Sequence, residues 1–98
     1  MKMEGLLPIG SVVMLKGGEH RVMIMGYAQQ LEGEDGKVYD YVACLWPEGF
    51  LRPDQNILFD GDQIDMLYSV GYITEGQQVF AARMEAALAG YREKMPEE

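Results

Sequence analysis

The stretch Asp35-Gly36-Lys37-Val38-Tyr39-Asp40-Tyr41-Val42-Ala43-Cys44-Leu45 decides the fold. Its opening Asp-Gly pair supplies the positive backbone φ of a tight hairpin turn. From Val38 the side chains alternate as in a strand. Val38, Asp40 and Val42 fall on one face, and Tyr39, Tyr41 and Ala43 on the other. Asp40 interrupts the apolar side, which marks it as an edge residue or a satisfied polar group. The hairpin's other arm lies upstream, in His20-Arg21-Val22-Met23-Ile24-Met25-Gly26-Tyr27 with an extension through Leu31. Its apolar residues are continuous rather than alternating, the pattern of a strand buried on both faces. Gly17-Gly18-Glu19 is a turn that joins this arm to an earlier strand, Ser11–Lys16.

Downstream, Trp46–Asn56 contains two prolines and a glycine and reads as an irregular connection. Ile57–Phe59 is a short fourth strand, Asp60–Asp65 a turn with room for one helical turn, and Met66–Tyr72 a fifth strand. The tail changes period. Thr74 and Gln77 fit a capping box. Val79, Phe80, Met84, Ala87, Leu88 and Tyr91 then recur at helical spacing. Pro96 ends the helix. Strands followed by one helix, with no βαβ alternation, give an α+β fold. The expected architecture is a curled antiparallel sheet of about five short strands, open or closed into a barrel, with one C-terminal amphipathic helix. Residues 1–98 form a single domain, with the β-rich part at 6–72 and the helix at 74–94. The helix stripe is expected to dock on its own sheet, with a partner helix as the other reading.

The chain has 16 acidic and 8 basic side chains, a net charge of −8. Such a surface repels phosphate, which disfavours nucleic acid and anionic membrane faces as partners. Negative charge serves solubility, and it also suits a basic protein partner. The N-terminus carries no signal-peptide body, and no apolar run is long enough to span a bilayer, so a cytoplasmic location is expected. Cys44 is the sole cysteine, which fits a reducing compartment and a small buried core residue.

Motifs for chemistry are sparse. His20 is the only histidine, and nothing in the sequence ties it to Cys44 as a base to a nucleophile. No phosphate-binding glycine loop or nucleophile elbow is present, and no cofactor is implied. Asp60, Asp62 and Asp65 are the best cation candidates, but Ile64, Asp65 and Gly71 break the calcium-loop pattern, and a turn of backbone-bonded aspartates is the expected reading. Glu32, Glu34 and Asp35 read as a solvated hairpin tip. The aromatics are richer. Trp46 and Phe50, in the irregular connection, with Tyr39 and Tyr41 on the third strand, are the candidate partner-binding residues, because Tyr and Trp combine large area with a polar handle.

Several stretches resemble a known family when taken in order. They are Leu7-Pro8-Ile9-Gly10-Ser11-Val12-Val13 with Lys16-Gly17, Met23-Ile24-Met25-Gly26, Tyr39-Asp40-Tyr41-Val42 with Cys44, Pro47-Glu48-Gly49, then Phe59, Asp62, Ile64-Asp65 and Val70-Gly71-Tyr72. Over roughly residues 6–80 they resemble a bacterial domain of unknown function commonly encoded in type VII secretion loci of Gram-positive bacteria, near WXG-type proteins and LXG-type toxins. The resemblance implies a cytoplasmic adaptor, chaperone or targeting factor for a secreted toxin and supplies no catalytic residue. The expected function is therefore non-enzymatic protein binding. An immunity protein that neutralises a toxin domain, or a small enzyme, are the alternatives. An LXG-type toxin or a WXG-type helical protein is the expected partner, and a homodimer is compatible with the sequence.

Overall fold

The computed structural model describes residues 5–30 and 36–94. Five strands, β1 (Val12–Leu15), β2 (Val22–Gln30), β3 (Val38–Leu45), β4 (Ile57–Phe59) and β5 (Ile64–Ser69), precede one helix, α1 (Glu75–Glu93). The boundaries of β3 and β4 match the sequence reading. The acidic hairpin tip and Pro96 lie outside the described residues.

All pairings are antiparallel, in the order β4-β3-β2-β1-β5. The two edge strands are consecutive in sequence, joined only by residues 60–63. In a flat sheet, four spacings of about 4.8 Å would separate these edges by about 19 Å. The link covers at most about 17 Å if fully extended, and a one-turn 3-10 helix at Gly61–Gln63 shortens it. The sheet must therefore curl until β4 and β5 approach each other. They share no ladder, so the sheet is not closed.

The inner face of the curl holds the core, including Val13, Ile24, Tyr27, Tyr41, Phe59 and Ile64. Register shifts between Ile24 and Gly26 in β2, and at two points along β1–β5, mark the irregularities that bend it. The N-terminal segment lies across the inner face. Leu7 N–H donates to the Tyr41 hydroxyl at 2.9 Å, and the Tyr27 hydroxyl donates to the Leu7 carbonyl. Gly10 N–H bonds the Ile24 carbonyl and Ile24 N–H bonds the Ser11 carbonyl, both at 2.8 Å.

β5 begins two residues earlier than its sequence pattern suggests and ends at Ser69. The cause is Gly71. Its N–H donates to Ser11 Oγ at 3.0 Å, and its Cα lies so close to the N-terminal segment that an added Cβ would sit 2.0 Å from the Ile9 carbonyl oxygen. The chain leaves the ladder there to cross the entry segment.

Thr74 caps α1 as expected, its Oγ1 accepting from Gln77 N–H at 3.0 Å. The buried stripe is rotated from the expected one. Ala81 and Leu88 are buried and Met84 packs on the core, while Val79, Phe80 and Tyr91 are exposed. Periodicity names an apolar face but not which edge of it meets the core; here Leu6, Leu7 and Tyr27 set the contact. Gln77 lies on this inner line, and its Oε1 is buried without a partner among the described residues.

Two glycine substitutions separate close packing from helix propensity. Gly71→Ala should lower stability by about 1–3 kcal/mol, because backbone rather than a flexible side chain opposes the new methyl. Gly90→Ala, inside α1 with nothing within 4 Å of the added Cβ, should raise it by about 1 kcal/mol. Urea unfolding of both variants checks the opposite signs.

Candidate functional site

Two regions gather the side chains that the sequence singles out. The first is a polar cluster where the end of α1 meets β3 and the β4–β5 link. Asp40, the odd residue of β3, points here. Its Oδ2 accepts from Gly61 N–H at 2.8 Å, and its Oδ1 pairs with Arg92 Nη1 at 2.9 Å. Asp60 accepts from Asp40 N–H at 3.0 Å and from Lys37 Nζ at 2.9 Å. Arg92 Nη2 also donates to the Val38 carbonyl at 2.8 Å. The hydrogen bond to Asp60 holds the Lys37 ammonium above its usual pKa.

This network is a clasp. It carries α1 back to the strand pair, and its half-exposed ion pairs are weaker than a buried set. Asp62 and Glu85 complete the wall of a concavity of about 350 Å³ here. The three aspartates do not converge. Asp60 is committed to Lys37 and Arg92, while Asp62 and Asp65 are exposed. No cluster of three metal-ligating side chains occurs among the described residues.

The second region is the outer face of the sheet and the β3–β4 connection. Cross-strand partners share a face, so Val12, Met23 and Cys44 form one row across β1, β2 and β3. Met14 and Met66 pair on the same side, and Val42 and Leu58 pair beyond. An outward row in a single-layer curled sheet is ordinarily polar; this one is apolar. Trp46 is 41 % exposed and Phe50 56 % exposed beside it, with Leu51 exposed as well. Cys44 is buried, and His20 is engaged elsewhere, its Nε2 lying 2.9 Å from Glu48 Oε1. That contact lowers the Glu48 pKa.

The two candidate tyrosines of β3 part company with the loop aromatics. Tyr41 is 1 % exposed, stacks on Phe59 at 5.3 Å between centroids, and presents no surface to a partner. It is a core residue, because its alternation places it inside the curl. Burial pushes its phenol up to about 12. Tyr39 is half-buried under Lys37, whose ammonium sits 4.8 Å from the ring centroid. Exposed residues that the sequence did not mark are Tyr68, Tyr72, Ile73 and Phe80, Tyr72 reaching 85 %. Regular spacing concealed Phe80 and Tyr68 as core positions.

A family model described as a domain of unknown function, DUF4176, matches residues 6–80. The chain belongs to this family. The DUF4176 match contains all five strands and the first turn of α1, and it stops before Leu88 and Arg92. The outer face and the β3–β4 connection thus lie inside the family's region, whereas Arg92 of the clasp lies outside it. No curated protein and no solved structure matches the chain. No helix among the described residues is long and apolar enough to cross a membrane.

The Tyr41 pair with Leu7 gives a pH test. A phenol whose folded pKa is raised stabilises the fold below its unfolded value of 10.0, and that contribution is lost as pH rises through about 12. Stability should therefore fall from pH 10 upward, with a shallower fall for Tyr41→Phe. At pH 7 the same variant should lose about 1–3 kcal/mol, because Leu7 N–H is left buried and unpaired. Urea unfolding at pH 7 and pH 11 reads both effects.

Proposed function

We propose that this protein is a non-enzymatic, protein-binding accessory factor, an adaptor, chaperone or targeting factor for a type VII secretion substrate in the cytoplasm. The observation that carries the binding part is apolar surface that the chain's own fold leaves uncovered. Trp46, Phe50 and Leu51 stand out from one short connection, and Met66 is exposed on the outer sheet face. Monomers rarely leave contiguous apolar area of this kind unless something docks on it. Methionine makes such a face adaptable, which suits a carrier that receives a segment and releases it. β5 also stands at the edge of the strand order, and a sheet edge is where an added strand makes main-chain hydrogen bonds.

The secretion context rests on the ordered resemblance over residues 6–80 described under Sequence analysis. An LXG-type toxin or a WXG-type helical protein is the partner it implies. The immunity reading draws on the net charge of −8, which suits a basic toxin domain.

Affinity purification of the tagged protein from its host, followed by mass spectrometry, tests the proposal. Recovery of an LXG-type or WXG-type protein is the expected result. The double variant Trp46→Ala, Phe50→Ala should recover at least about tenfold less of it, since exposed aromatic anchors of an interface each contribute about 1–2 kcal/mol or more. A clean preparation from cells expressing the secretion locus would count against the adaptor reading. A basic toxin domain released by moderate salt would favour the immunity reading.

A further inference from the structure

One concavity on the outer face differs in charge from two others on the molecule. It has a volume of about 370 Å³ and is lined by Gly10, Val12, Arg21, Met23, Trp46, Tyr68 and Ser69. The clasp concavity is walled by Asp40, Asp60, Asp62 and Glu85, and the groove beside the start of α1 includes Glu85. The outer one contains no carboxylate, in a chain with a net charge of −8.

Its single charged group is Arg21. The Trp46 N–H donates to the Arg21 carbonyl at 2.9 Å, which fixes the two residues side by side. The guanidinium lies 4.3 Å from the Tyr68 ring centroid. No described carboxylate pairs with it. The stacking on Tyr68 holds the planar group over the concavity with its donors unspent on any acid. Val12 and Met23 form an apolar floor, and Trp46 and Tyr68, each about two-fifths exposed, form the walls.

We infer that this concavity receives an acidic–apolar segment of another protein. An apolar side chain of that segment seats on Val12 and Met23 between the two aromatic walls. An Asp or Glu beside it meets the Arg21 guanidinium. The inference rests on the protein-binding reading above and adds to it a site and a partner chemistry.

Charge decides against a symmetric pair of these faces as the occupant. Two such faces brought together would oppose guanidinium to guanidinium, with no carboxylate in either concavity to neutralise them. A basic segment meets the same obstacle. A carboxylate-bearing segment gains a charge-assisted pair in a concavity whose own lining holds no carboxylate.

The test uses the full chain and a library of random peptides displayed on phage. Trp46 is the only tryptophan, so its emission reports directly on the site. Selected peptides should combine a large apolar residue with a neighbouring Asp or Glu, shift Trp46 emission to the blue, and bind Arg21→Glu at least about tenfold more weakly. Arg21 is exposed, so the variant should keep the circular dichroism and melting temperature of the parent. Basic winners, an unmoved Trp46 emission, or equal binding to R21E would overturn the site. A dimer in sedimentation that quenches or shifts Trp46 as concentration rises would overturn it in favour of a second copy. Affinity purification with R21E beside the parent separates the two levels. A host partner held equally by both sinks this site and leaves the protein-binding reading standing. No partner on either sinks both.

Discussion

The two hydroxyls that hold Leu7 are the constraint on which the rest of the structure depends. A curled sheet of five short strands has an open seam and an apolar interior that must be kept from water. The chain seals it with its own entry segment. Tyr41 accepts the Leu7 N–H and Tyr27 donates to the Leu7 carbonyl, so both backbone polar groups of one buried residue are satisfied inside the core. That placement puts Leu6 and Leu7 where α1 can pack on them. It also sets Gly10 and Ser11 against Ile24, and Ser11 in turn takes the Gly71 N–H. Entry segment, sheet and the approach to the helix are thus tied through residues that lie far apart in the chain.

The sealed interior has a consequence for the outside. The inner face absorbs Tyr27, Tyr41 and Phe59, the buried aromatics of the core. What remains on the outer face is methionine, valine and a buried cysteine, with Trp46 and Tyr68 at its border. The outer face therefore carries an apolar row as well, with Asp40 on the same side of β3 and Arg21 and Ser69 at its concavity. The continuous apolar run of β2 has that meaning, since Val22 and Ile24 serve the core while Met23 serves the exterior.

Charge is distributed unevenly over the same framework. Carboxylates concentrate at the clasp between α1 and the β4–β5 link, where Arg92 and Lys37 offset some of them. The opposite surface carries Arg21 and no acid within its concavity. The overall value of −8 hides this polarity, and only the polarity distinguishes one class of partner segment from another.

The sequence by itself determined the element list. Alternation located β3 at Val38–Leu45, turn chemistry isolated β4, and Thr74 announced the start of α1, because each of these signals is local and depends on backbone geometry within a few residues. It also located Trp46 and Phe50 in an irregular connection. Tertiary structure alone decided which sides of the elements meet. Alternation could not say that Tyr41 faces a core, since a period of two names two faces without ranking them. Helical spacing placed Phe80 and Leu88 on one stripe, yet Leu88 is buried while Phe80 meets only the Tyr27 ring, 6.2 Å between centroids, and stays half exposed. Asp40 found Gly61 and Arg92, and Arg21 found Trp46 and Tyr68, across sequence separations that no local pattern encodes. The candidate site is built from those long-range meetings, and it exists only once the sheet has curled.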